Sequence, residues 1–467
     1  MSVKKLVHSE AGTANFGDKR LNMRFKHLLG TFMNRPDGSI LGSCNNWTES
    51  IAAYRFFSNE KVSPEKILAP HVHSTIERIK EQDIILLVQD TTEIEYNGRA
   101  PIEGLGPLSS PGEQGFHLHP TLAVTPQRLC LGILDGNVWV REKLGKKKER
   151  ARKPIEEKES FRWLQSYLLS NEIAQKAPKT QVVNISDREG DIYEIFSEGK
   201  KETIENKAHF LVRAYQNRRL TDNTEDNNVL KLWDMKPIAK TYGEIEFKLP
   251  KTKKREARLV TQEIKACEVR LKPPDRTGTE LPEVSINAVF CVEKDPPKGV
   301  EPLEWLLLTS LPIDTEQQIS NIIKYYLCRW QIEIYFKVLK SGCKIEALQL
   351  KTYGRIERCL ALYMIVAWRV MLVTMMGRKS PNLACDLLFT EEEWKSAYVA
   401  IKKKAPPENV PTLDEMIRII ASLGGFLNRK SDGYPGPKVI WKGLQRMHDI
   451  TLGWTALQSI TLKETYV

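Results

Sequence analysis

The eight cysteines, at positions 44, 130, 267, 291, 328, 343, 359 and 385, include no C-x-x-C pair. That absence removes zinc-ribbon and thioredoxin-like spacings, and free thiols in a reducing compartment are expected. The first ten residues, MSVKKLVHSE, contain no apolar core of a secretory signal, so a cytoplasmic setting is expected. Long apolar runs are missing save one, Leu360 to Met376, which carries Arg369 in its middle. A buried core helix fits that run better than a bilayer span, and no membrane partner is expected. There is no internal repeat and no low-complexity tail, which excludes solenoid architectures. Acidic residues are outnumbered, 59 Asp+Glu against 70 Lys+Arg, a net charge of +11 over 467 residues. Such a surplus favours a polyanionic partner, with nucleic acid the leading candidate.

A chain of this length can bury a sizeable core and hold several domains. Residues 1–70 read as short helices between polar loops, including Asp18 to Phe32, a helix capped by Thr48, and a Ser63-Pro64 start. Lys19, Arg20, Arg24, Lys26 and Arg55 make this module basic. Residues 71–376 change to α/β texture. Ile84 to Val88 and Thr180 to Ser186 are apolar runs of buried-strand type, and Phe116 to Val124 and Arg128 to Val140 read as further strands, the second with an Asp135-Gly136 turn signal. The dense basic run Arg141 to Lys153 reads as a surface loop. Within 220–302, EIEFKL, ARLV, IKACEVRL and INAVFCV alternate apolar with polar residues, as an antiparallel β insertion would. Residues 377–467 read as helices, with capping boxes at Thr390-Glu393 and Thr412-Glu415 and a last amphipathic helix over Val439 to Ile450.

Two apolar strands end directly in aspartates, Asp90 and Asp187, and a long helical pattern from Thr315 to Ser341 carries Glu333. In that helix Tyr326, Arg329, Glu333, Lys337 and Lys340 follow at steps of three or four, on one stripe. Ile323, Leu327, Trp330, Ile334 and Val338 form an apolar stripe able to face a core. If the two strands are neighbours, both aspartates reach one sheet edge. Three clustered carboxylates repel one another and call for cations, and Mg²⁺ suits carboxylates with phosphate oxygens. A pair of ions there can activate a water or a 3′-hydroxyl for phosphoryl displacement. The same residues also fit a structural network of ion pairs, and Glu93, Glu95, Glu189 and Asp191 can equally supply a carboxylate. His117 and His119 share a strand face but lack further ligands at metal spacing.

The spacing Y-x-x-R-x-x-x-E-x-x-x-x-x-x-K at Tyr326, Arg329, Glu333 and Lys340, with FGDKR, AYRFF, QDTTEIEY, SDREGDIY, PLEWLLLTS and SLGGF elsewhere, resembles the DDE transposases of bacterial insertion sequences, in the insertion-sequence-four family. The resemblance covers nearly the whole chain. It implies an α/β, RNase H-like catalytic core (a mixed sheet with flanking helices) in 71–376, interrupted by the β insertion. A helical DNA-binding domain in 1–70 and a helical dimerising domain in 377–467 would complete the chain. The implied catalytic and metal-binding residues are Asp90, Asp187 and Glu333, with two Mg²⁺ per site and Mn²⁺ able to substitute. Implied DNA contacts are Tyr326, Arg329, Lys337 and Lys340 on the phosphates of a flipped strand, Trp305 under its base, Arg213 on the DNA path, and Arg24 and Arg55 on end-sequence DNA. The implied activity is cut-and-paste transposition through a DNA hairpin, by a homodimer on transposon ends and target DNA, at the nucleoid of a bacterial cytoplasm. A non-catalytic transposition inhibitor or domesticated descendant is the alternative, and a stand-alone RNase H-like nuclease a third reading.

Overall fold

A computed structural model describes residues 2–97, 102–141, 154–201, 205–223, 229–249, 251, 256–274 and 280–464. The basic run at 141–153, apart from Arg141, lies outside the described residues, as do most of the polar links at 251–256 and 273–278. The chain divides into two compact units, one of residues 1–78, 91–143 and 331–467, the other of residues 79–90 and 144–330.

Five helices come first: α1 (Val3–Ala11), α2 (Lys19–Asn34), α3 (Ile40–Ser43), α4 (Trp47–Phe57) and α5 (Pro64–Lys80). Asp18 starts α2 by accepting from the Arg20 N–H at 2.8 Å. The cap expected at Thr48 is instead Asn46, whose side chain accepts from the Glu49 N–H at 2.9 Å. Thr48 thereby falls inside the first turn of α4. Phe16, Phe25 and Phe56 meet edge-on or stacked at 5.5–6.3 Å and form the module's core.

The strands β1 (Ile84–Gln89), β2 (Thr92–Glu95), β3 (Gly106–Pro107), β4 (Gln114–Val124) and β5 (Cys130–Trp139) follow. In the first unit β4 pairs antiparallel with β2, β3 and β5. Asp135 and Gly136 make no turn: both lie in β5, opposite Thr121 and Pro120, beside a bulge. The end of the Met364 side chain packs against this glycine, 2.5 Å from where a Cβ would stand.

The second unit continues from β1 with α6 (Phe161–Lys176), β6 (Gln181–Ser186), α7 (Tyr193–Lys200), β7 (His209–Arg213), β8 (Arg219–Asn223), β9 (Val229–Lys231), β10 (Lys240–Leu249), β11 (Arg258–Leu271), β12 (Val284–Glu293), β13 (Glu304–Thr309) and α8 (Glu316–Leu327). β1, β6 and β7 pair in parallel, as their unbroken apolar runs require. β13, β12 and β11 extend this sheet antiparallel, with β10 and β8 both on β11. ARLV and IKACEVRL, read as two strands from sequence, are one 14-residue strand, because Thr261 to Glu263 between them contain no turn residue and keep the alternation.

The single helix expected over 315–341 is broken. α8 ends at Leu327, the N–H groups of Cys328 and Arg329 bond three residues back to Tyr325 and Tyr326 at 3.0 Å, and α9 (Trp330–Lys337) starts anew before a π-helical turn at Val338–Gly342. This tight turn resets the helical phase. Ile323 and Val338 are buried as expected, but Leu327 and Trp330 are 37% and 55% exposed. Beyond them lie α10 (Tyr353–Lys379), α11 (Glu391–Lys402), α12 (Leu413–Leu423) and α13 (Pro437–Glu464). The apolar run is a core helix as expected: every side chain of α10 from Cys359 to Met371 is buried. Arg369 within it donates to the Met33 carbonyl at 2.5 Å, and burial brings its pKa down to about 10, against the pull of Glu393. The last helix is 28 residues, longer than the expected 439–450.

One buried network ties α1 to the sheet of the first unit. The Glu10 carboxylate bonds His71 Nδ1 at 2.5 Å and Arg78 Nη1 at 2.7 Å, while His71 Nε2 accepts from the Ile133 N–H at 3.0 Å. An accepting Nε2 means that His71 is neutral, with its proton on Nδ1 facing Glu10. Arg78 also lies 4.8 Å from the ring centroid of Trp368.

Candidate active site

β1 and β6 pair in register from Ile84↔Gln181 to Val88↔Ile185. Two residues further along each strand, the same register sets Asp90 opposite Asp187 at the carboxyl edge of a parallel pair. Adjacent strands lie ~4.8 Å apart, so the two carboxylates share one sheet edge. A buried polar chain just behind them fixes that register. Gln89 donates to the Asn184 side chain at 2.8 Å, and Asn184 donates to Ser170 Oγ of α6 at 2.8 Å. Nothing in the sequence beyond their polarity inside apolar runs marks Gln89 and Asn184 for this work.

Asp90 is held by Arg329, Nη1 to Oδ2 at 2.8 Å, with side chains only 18% and 11% exposed. Asp187 caps a short helical turn by accepting from the Glu189 N–H at 2.7 Å. Tyr326 sits in the same field. Burial raises its phenol pKa, the neighbouring Arg329 and Arg213 pull it down, and Asp187 pushes it up again. Asp90, Asp187, Arg213, Tyr326 and Arg329 of the second unit therefore form one charged cluster, in which two arginines offset two carboxylates.

Trp305 opens beside this cluster. Its ring lies 5.6 Å from that of Tyr326 at 42°, and its indole N–H donates to Gln262 of β11 at 3.0 Å. Trp305 and Tyr326 line a largely apolar cavity of about 670 Å³ with Trp330, Arg213, Tyr242 and Phe247, the last two from β10 of the insertion. Gln262 is a residue that sequence reading missed.

Glu333 lies in the first turn of α9 and belongs to the first unit, as do Lys337 and Lys340. Lys337 is exposed, whereas Lys340 donates to the Glu93 carbonyl at 2.8 Å and pairs with Glu346 at 3.0 Å. Arg24 and Arg55 line a separate cavity of about 380 Å³ between α2 and α4, together with Arg20.

The carboxylates of Asp191, Glu93 and Glu95 are otherwise engaged. Asp191 is buried and accepts four hydrogen bonds, from the backbone of Tyr215 and Gln216 and from two nitrogens of Arg218. Glu93 accepts from Ser109 and lies 3.3 Å from His117 Nε2. Burial works to raise its pKa, yet Ser109 and His117 hold it below the usual value. Glu95 bonds Asn97, and the Glu189 backbone serves Asp187. His117 stacks on Trp139 at 5.0 Å and His119 Nδ1 bonds Thr91 Oγ1 at 2.8 Å, so both histidines have structural partners.

Among the described residues no three His, Cys, Asp or Glu side chains form a group able to hold a metal ion. At the strand ends Asp90 and Asp187 nonetheless offer carboxylate oxygen, the hard ligand of Mg²⁺-class ions. The Asp90 charge is met by the Arg329 guanidinium, an observed demand for a cation that a divalent ion would also satisfy. The donor set fits such an ion.

Three family models match this chain in order: "Transposase DNA-binding" over residues 4–62, "Transposase DDE domain" over 195–369 and "Transposase Tn5 dimerisation domain" over 365–460. A solved structure, described as a cryo-EM structure of the piggyBac transposase synaptic complex with hairpin DNA, matches 68% of this chain and 57% of its own, at 10% identity and a TM-score of 0.31. The fold itself, a mixed sheet with flanking helices, is RNase H-like, and the sheet edge bearing Asp90 and Asp187 belongs to it. With DNA-binding, DDE and dimerisation domains following one another, the protein belongs to the Tn5-like DDE transposases.

Proposed function

We propose that this chain cuts transposon ends through a DNA hairpin and joins the freed 3′ ends to target DNA, as a homodimer at the bacterial nucleoid. In this reading residues 1–70 bind end DNA, residues 71–376 carry the chemistry around the insertion at 220–302, and residues 377–467 dimerise. The observation that carries it is the placement of Asp90 and Asp187 at the ends of adjacent parallel strands, with Arg329 of the Y-R-E-K spacing bonded to Asp90. In this reading Glu333, four residues beyond Arg329, is the third carboxylate. Asp90, Asp187 and Glu333 would hold two Mg²⁺, or Mn²⁺ in their place. Such ions, when bound, activate the attacking oxygen and stabilise the leaving one.

The chain's own residues then orient the strand. Tyr326, Arg329, Lys337 and Lys340 hold the phosphates of the flipped strand, Arg as a planar fork and Lys as a point charge, and Arg213 lies on the DNA path. Trp305 offers a flat ring at the wall of the cavity it shares with Tyr326, where an extruded base can stack. Arg24 and Arg55 bear on the end-sequence duplex from their own groove.

The deciding experiment uses a duplex carrying the element's own end and flanking DNA, with wild type beside Glu333→Gln on denaturing gels. Mg²⁺- or Mn²⁺-dependent nicks, hairpins and breaks in wild type alone are expected. Binding without cutting under either metal would favour a non-catalytic inhibitor or domesticated binder.

A further inference from the structure

We propose that Arg188 and Tyr215 form a stacking platform for a DNA strand beside Asp187, a role that rests on the transposase reading. Arg188 follows Asp187 directly, and Tyr215 lies two residues past Arg213, the end of β7. Since β6 and β7 are parallel neighbours, both residues leave the same sheet edge. Their side chains meet there: the Arg188 guanidinium lies 6.0 Å from the Tyr215 ring centroid. The ring is 65% exposed, so it contributes little to any core.

What distinguishes this pair from ordinary surface residues is the frame that fixes it. The Asp191 side chain is fully buried, accepts the N–H groups of Tyr215 and Gln216 at 2.7 Å each, and binds Arg218 through Nε at 3.1 Å and Nη2 at 2.6 Å. Arg218 also donates to the Asp191 carbonyl at 2.7 Å and packs over Tyr193 and Phe196 at 5.8 and 5.4 Å. A buried, doubly bonded ion pair thus orders a loop whose most prominent side chain points into solvent. An exposed aromatic face beside a guanidinium, on backbone fixed by a buried carboxylate, suits a base on the ring and a phosphate on the cation. The strand is either the DNA flanking the cut end or the target strand, and the chemistry of recognition is common to both.

The test uses the full-length protein with Tyr215→Ala, Tyr215→Phe and Arg188→Gln. With fluorescent oligothymidine as probe, Tyr215→Ala is expected to weaken binding about fivefold or more and Tyr215→Phe less than about twofold. Arg188→Gln should lower the salt slope by roughly one. Thermal melting of Tyr215→Ala should match wild type, because the backbone bond to Asp191 survives the substitution. On an end-bearing duplex with a supercoiled plasmid as target, slower joining with unchanged nicking assigns the platform to target DNA, and slower nicking assigns it to flanking DNA. Unchanged oligothymidine binding by Tyr215→Ala, or weakened binding with both reaction steps unchanged, overturns the proposal. A wild type that fails to cut in either metal overturns the transposase reading instead, while the oligothymidine comparison still decides the platform.

Discussion

Arg329 Nη1 sits 2.8 Å from Asp90 Oδ2, and the same guanidinium lies 5.4 Å from the ring centroid of Trp330. One arginine thus joins a strand-end carboxylate to the wall of the aromatic cavity. A lysine can carry the charge but cannot reproduce the planar fork or the stacking. Arg329→Ala is expected to reduce single-turnover cleavage at least about tenfold, with Arg329→Lys recovering only part of it. Full activity in Arg329→Lys would show that charge alone matters there.

Asp187→Ala and Glu333→Gln should remove cleavage while leaving end-DNA affinity within about threefold, because neither residue contributes a cation for phosphate. Gel-shift titrations beside cleavage assays separate the two effects. Wild-type binding itself should fall steeply with salt, and a flat response would contradict a phosphate-dominated interface.

Trp305→Ala should slow hairpin formation more than the first nick, since only the hairpin step needs a base held out of the stack. Gln262→Leu should act in the same direction more weakly, as it removes the acceptor of the Trp305 indole N–H without removing the ring. Uniform slowing of both steps would assign Trp305 to general packing.

The network around Glu10 makes stability depend on pH. Burial works to raise the Glu10 pKa, but bonds to His71 and Arg78 hold it at about 2, below the ordinary 4.5. Burial lowers that of His71 below 6.5, against the pull of Glu10. Both groups are depressed in the folded state, so the unfolded chain binds more protons and stability rises with pH across both windows. Melting temperature should be highest above about pH 6.5, fall first as His71 protonates, then fall again between 4.5 and about 2 as Glu10 does. Glu10→Gln should abolish the lower step, and a melting temperature constant over the whole range would refute the account.

The strand-end aspartates were readable because an unbroken apolar run terminating in Asp is a local pattern. The Tyr326, Arg329, Glu333 and Lys340 spacing is equally local. The break at Cys328-Arg329 was not readable, since neither Gly nor Pro marks it, and the apolar stripe through Leu327 and Trp330 looked like core while it lines a cavity. Asp191 looked like a spare ligand because its saturating partner, Arg218, stands 27 residues away. The partner of Trp305 is 43 residues away, on a strand whose pairing no local pattern reveals.

Gln262 is wholly buried and uses both ends of its amide, accepting from the Trp305 indole and donating to the Leu303 carbonyl at 2.7 Å. The indole is therefore aimed by the insertion, whereas Asp90 and Asp187 stand on strands that the insertion does not build. Under the proposed reaction, bond breaking and the handling of the displaced nucleotide are inherited on separable pieces of chain. A change in β11 at Gln262 would therefore re-aim the Trp305 ring while leaving Asp90 and Asp187 on their own strands.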